Sequence, residues 1–318
     1  MKLALLRSTY RLEREANALL YNAVDSIAAQ MNIQVPVTVF QAESSQGYNA
    51  SLAWLPDEVQ IVLYGDVQEL LTPAELNALI AHELAHYELY TTDDSAYLIV
   101  DQLLSAMQAD QSTQAPHDRT WRSFRLYTEL HCDRRALDVS KNRDDVICAL
   151  IKMKTGLKEV SAVAYLSQAE EILSSGDVES DEVTHPEMFI RAKALAIWHD
   201  DPDDASKIIR PLIEGSLQLS ELDLLRQEKL TQLTKDLLQD LLAPKWLQTP
   251  VTLGHMRRLF ADFSWGQTSP SPGYAAEFIS PESETDPQLL RYLCYLLLDF
   301  VTVVAHLSFN SLSCSSWR

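Results

Sequence analysis

From Thr72 onward nearly every segment of this chain repeats apolar residues at helical spacing, and few glycines interrupt it: 8 in 318 residues. Strands and tight turns draw on glycine, whereas Leu, Ala, Glu and Gln favour helices, so the pattern forces a mainly α fold. The period runs through Pro73 to Tyr90, about Ser95 to Ala109, about Asp118 to Val139, Arg143 to Thr155, and Ala162 to Ser174. The exceptions precede Thr72. "VPVTVFQ" (Val35 to Gln41), "YNASLAW" (Tyr48 to Trp54) and "VQIVLY" (Val59 to Tyr64) are β-branched or alternating runs, predicted to form a small three-stranded meander. Ahead of them, "MKLALLRSTYRLEREANALL" predicts a charged amphipathic helix and lacks a signal-peptide apolar core.

The expected class is therefore mainly α with a small β-meander, an α+β arrangement, followed by an all-helical C-terminal region. At 318 residues and 47% hydrophobic the chain reads as two domains. The acidic loop "HDDPDD" (His199 to Asp204) sets the expected boundary, giving 1–200 and 201–318. Polar loops at 110–118 and 174–187 interrupt the first part, "SPSPGY" (Ser269 to Tyr274) breaks the second, and no repeat period is present.

A formal charge of −19 disfavours nucleic acid and anionic membrane surfaces, and it is expected to disfavour acidic substrates. Cys132, Cys148, Cys294 and Cys314 form no Cys-x-x-Cys pair, which points to a reducing compartment and a cytoplasmic location. The apolar run Leu289 to Phe309 contains Arg291, Asp299 and His306, so a buried helix is expected there and a membrane span is not. Val301 to Trp317 holds no Asp, Glu, Lys or Arg, consistent with a buried or disordered tail. The oligomeric state is not legible.

Chemistry concentrates in "LTPAELNALIAHELAHYEL" (Leu71 to Leu89). Thr72, Pro73 and Glu75 predict a helix start with a capping box. Two turns on, His82 and His86 project from one helical face, where both imidazoles reach a single ion, with Glu83 beside them. Three fixed residues recur by chance in roughly one chain in a hundred of this length, so the motif needs a third ligand. A metzincin is excluded, because the positions that would hold Gly and His are Leu89 and Thr92. No glutamate lies between Glu88 and Glu129, which makes Glu129 the first candidate, and Asp133 one turn later is placed to accept from a ligand imidazole. The competing reading of Glu129 and Asp133 is a solvated face pairing with Arg125, Arg134 or Arg135. His131 points elsewhere on that helix, and Cys132 reads as core.

These residues resemble peptidase family M48, the gluzincins that include HtpX-like and CAAX-prenyl-protease-like enzymes. The family's blocks occur here in order as Asn49-Ala50, "HELAH", "ELHCD", and "THPEMFIR" with His185, Pro186 and Arg191, spanning roughly Val35 to Trp198. The resemblance implies a gluzincin-type core and one zinc ion on His82, His86 and Glu129. It implies Glu83 as the general base acting on a zinc-bound water, with Asp133 supporting a ligand. His185 and Arg191 would stabilise the oxyanion or hold the site together, and the strand at Asn49 and Ala50 would receive an extended peptide substrate. Many relatives carry transmembrane helices; here "SAYLIVDQLLSAMQAD" is too short and polar to span, so a soluble member is expected. The expected function is a zinc-dependent endopeptidase acting on extended or unfolded polypeptide. The alternative is a zinc-containing interaction or regulatory protein, whose helical C-terminal region binds a partner or keeps the protease latent, with "SPSPGY" as a hinge.

Overall fold

A computed structural model describes residues 7–43, 47–55, 58–109, 115–175, 185–202, 205–214, 219–265 and 287–313, with backbone alone at 54–55, 221 and 303–313. The chain divides into two compact units: residues 1–113 with 121–215, and residues 114–120 with 216–318.

In the first unit the described elements run β1 (Tyr10–Arg11), α1 (Ala18–Gln30), β2 (Val37–Ala42), β3 (Asn49–Leu55), β4 (Glu58–Tyr64), α2 (Val67–Leu70) and α3 (Pro73–Thr91). There follow α4 (Ala96–Ala109), α5 (Ala115–Ser140), α6 (Arg143–Thr155), α7 (Ala162–Ser174), α8 (Met188–Asp200) and α9 (Ala205–Glu214). The first turns of α5 group with the second unit.

The sheet differs from the expected meander. Its order is β1-β2-β4-β3, with β2 parallel to β4 from Val37↔Val59 to Ala42↔Tyr64, and β3 antiparallel to β4 from Asn49↔Tyr64 to Leu55↔Glu58. Burial explains the swap. The central strand is covered on both faces and must be the most apolar run. In β4, Val59, Ile61 and Leu63 enter the main core while Val62 joins Phe40 and Ala42 on the other face. The polar Asn-Ala-Ser start of β3 is suited to the edge, where it is left.

The expected N-terminal helix is also corrected. Tyr10–Arg11 is a strand antiparallel to β2, and Leu12 N donates to Val39 O at 3.0 Å. Tyr21 of α1 ties this strand down, donating its hydroxyl to Leu12 O at 2.8 Å and accepting from Val39 N at 3.1 Å. Pairing the open edge of β2 outweighs a local helical preference, because a sheet edge leaves its backbone groups unmatched.

The capping box at Thr72 is present: Glu75 N donates to Thr72 Oγ1 at 3.3 Å and Thr72 N to Glu75 Oε2 at 2.7 Å. From Ala78 to Ala85 every residue of α3 is buried, and α1, α6 and one sheet face complete the core around it. The motif helix thus lies in the core of the unit, and packing fixes its buried side chains.

The described elements of the second unit are all helical: α10 (Leu224–Leu241), α11 (Pro250–Leu259) and α12 (Pro287–Ser313), with short 3-10 turns. Helix α12 buries Leu289, Leu293 and Phe300 but exposes Leu290, Tyr295, Leu298 and Val301, so it is a one-sided helix rather than the buried one expected. No helix among the described residues is long and apolar enough to cross a membrane. "SPSPGY" lies outside the described residues, as do the side chains of the uncharged tail from residue 303 on.

Candidate metal centre

Helices α3 and α5 bring the candidate ligands together. The Nε2 atoms of His82 and His86 lie 3.4 Å and 3.7 Å from Glu129 Oε2 and Oε1, and one donor atom from each residue falls within 4.8 Å of the others. Direct charge-assisted hydrogen bonds close to about 2.7–2.9 Å. The edge of a tetrahedron with zinc-ligand arms is about 3.4 Å, so two imidazole nitrogens and a carboxylate at these separations fit a zinc ion.

Asp133 is fully buried beneath the ligands, with Oδ1 2.9 Å from His82 Nδ1. It accepts from Arg191 Nε and Nη2, both at 2.6 Å, and Arg191 Nη2 also stands 3.7 Å from Glu129 Oε2. Helix α8 therefore contributes a guanidinium that braces two carboxylates of α5. The solvated-face reading is not what the structure has: Arg135 closes on Glu88, Arg134 lies over Trp198, and Arg125 pairs with Asp101. His131 is exposed and away from the ligands, whereas Cys132 is buried in the core.

Electrostatics sorts the titratable groups. Burial opposes charge on His82, but Asp133 and Glu129 outweigh it and hold its pKa at about 10. Burial and the charge on His82 together push His86 down to about 4. Burial works against the charge on Glu129 as well, yet His82 and Arg191 keep it well below the usual carboxylate range, and Asp133 is likewise lowered by Arg191 and His82. Glu83 is raised to about 7, mainly by burial.

These residues line a cleft of about 800 Å³. Asn49, Ala50, Ser51 and Leu52 of the edge strand form one wall, and Leu79, Val146, Leu150, Met153 and Tyr165 form an apolar side. His185, 58% exposed, stands 3.7 Å from Glu129 Oε1. Tyr48 at the rim packs between two glycines of positive φ: a Cβ on Gly65 or Gly156 would meet its ring at 3.3 Å or 3.2 Å. Tyr48, Tyr165 and Arg125 are lining residues that the motifs left out; only Arg125, one turn before Glu129 on the same face, carried a spacing signal.

A largely buried His-His-Glu donor set between two helices, beside an edge strand, is able to hold a metal ion. The chain belongs to peptidase family M48, whose family model matches residues 14–199. It is similar to "Plastoglobule-localized metallopeptidase 48, chloroplastic" of Arabidopsis thaliana, 26% identical over 199 residues, covering 56% of this chain and 56% of that relative. The chain thus spans about half the length of that relative.

Proposed function

We propose that this protein is a zinc-dependent endopeptidase hydrolysing peptide bonds in extended or unfolded polypeptide, with the ion held by His82, His86 and Glu129. The observation that carries this reading is Glu83. It is buried, lines the cleft beside the donor set, and makes no hydrogen bond or ion pair with any described residue. A carboxylate that only stabilises a fold is paired when buried; one left unpaired, with its pKa raised to about 7, is suited to take and return a proton.

When bound, zinc supplies Lewis acidity, drawing electrons from the scissile carbonyl and easing proton loss from water. Glu83 accepts the proton of the attacking water and delivers it to the leaving amine as the C–N bond breaks. His185, the exposed donor facing Glu129, supplies its N–H to the oxygen that gains charge, an effect on the order of 2–4 kcal/mol of barrier. Arg191 acts through Asp133, and Asp133 through His82. The outer edge of β3 at Asn49 and Ala50 offers backbone groups to an extended segment, favouring unfolded substrates.

The test is metal content and casein cleavage for the wild-type chain and for Glu83→Gln. The variant is expected to bind zinc stoichiometrically and to cut at least about 100-fold more slowly. Absence of zinc from the purified protein, or unimpaired cutting by the variant, refutes the reading.

A further inference from the structure

Two arginines of α5 and α8 close their forks on carboxylates, whereas Arg125 of α5 leaves part of its fork open. Arg191 closes on Asp133 through Nε and Nη2 at 2.6 Å, and Arg135 closes on Glu88 through Nε and Nη2 at 2.7 Å and 2.8 Å. Arg125 gives Asp101 a single hydrogen bond, Nη1 to Oδ1 at 3.1 Å, with the Tyr90 hydroxyl beside it. No second carboxylate among the described residues pairs with its fork.

The open fork faces the cleft. Arg125 lines it together with Tyr90, His86 and His185, and its side chain keeps 32% exposure. The helical period explains the direction: Arg125, Glu129 and Asp133 are spaced four apart on one face of α5, so a face that delivers two carboxylates to the centre also delivers this cation. Glu129 does not neutralise it, since the only ion pair Arg125 forms among the described residues is with Asp101. Guanidinium matches carboxylate geometry through two parallel N–H groups, and one corner of this fork is already fixed by Asp101, which reduces the freedom lost on closing the other.

The geometry points to Arg125 as a carboxylate-binding subsite of the cleft, selecting peptides that place an acidic group beside it. The ligand is a carboxylate, either an Asp or Glu side chain or the C-terminus of the peptide. This rests on the cleft being the peptide site, and it reverses the expectation drawn from net charge: a charge of −19 is a property of the whole surface, while a guanidinium in a cleft governs contacts at a few ångströms. The cleft's other peripheral cation, Lys154, is exposed.

The experiment reads binding, so it does not depend on turnover. Fluorescent decapeptides of neutral composition, with one glutamate moved along the chain, are compared by anisotropy with their glutamine counterparts, each with a free or an amidated C-terminus. The protein is the full chain carrying Glu83→Gln, loaded with zinc. The expected result is a roughly 10-fold tighter Kd for the glutamate peptide in one register, or for free acid over amide if the terminus is the ligand. Arg125→Gln removes that ratio, and Asp101→Asn, which releases Nη1, increases it. A ratio within one preparation is unaffected by any loss of folded protein. The proposal is overturned if no register or terminus gains more than about 2-fold, if the ratio survives in Arg125→Gln, if Lys154→Gln alone removes it, or if no peptide binds. Failure of the peptidase reading is seen separately, as casein that wild type leaves uncut.

Discussion

Asp133 is fully buried and has two neighbours to satisfy at once, His82 on the motif helix and Arg191 on α8. Replacing it with Asn keeps the shape but removes the charge that Arg191 and the His82 N–H face. Asp133→Asn is expected to weaken zinc affinity about 10–100-fold, measured by competition with a chromogenic chelator. Positions such as Glu129 and Asp133 were legible, because a run without glutamate followed by two carboxylates one turn apart leaves few alternatives. Arg191 was not legible from spacing: it lies far along the chain, and only packing brings it to Asp133. Arg125 was a partner for Glu129 only in the competing solvated-face reading, and it pairs with Asp101 instead, since helical spacing states which residues share a face but not which acceptor from another helix arrives first.

Among the elements, the start of α3 joins local and tertiary effects. Glu75 Oε2 accepts from the Thr72 backbone and also from Lys152 Nζ of α6 at 2.8 Å, both side chains being buried. Lys152→Met strands a buried carboxylate and is expected to destabilise by about 3 kcal/mol in denaturant unfolding, with Glu75→Gln on top recovering most of the loss. The capping box was visible in the sequence; its buried lysine was not. At the end of α6, Gly156 has φ +72 and faces the Tyr48 ring. Gly156→Ala therefore forces an L residue into the left-handed region against an aromatic wall. Its expected cost is about 1–2 kcal/mol, seen as a lowered thermal midpoint. Strand existence was likewise readable from alternation, but strand order was not, because a meander and a parallel pairing bury the same residues until the second face of the sheet is considered.

For the whole molecule, the proposed zinc ion would bind the folded arrangement of α3 and α5 and so add stability by mass action. With free zinc at about 100 times its Kd the gain is about 2.7 kcal/mol. Chelation is expected to lower the melting midpoint and abolish casein cleavage, and added zinc to restore both; calorimetry with parallel activity assays checks this, and an unmoved midpoint would show that the ion is not held by the folded site. By itself the sequence determined the helical class and the motif helix with its cap, and it pointed to the three candidate donors, because 3.6-residue periodicity and capping are local properties. Tertiary structure alone decided that Tyr10–Arg11 is a strand, that β3 lies at the edge and lines the cleft, that Arg191 braces Asp133, and that Glu83 is left without a hydrogen-bond or ion-pair partner among the described residues. Those outcomes depend on which surfaces compete for burial and which charges meet across helices, and neither is written in any one segment.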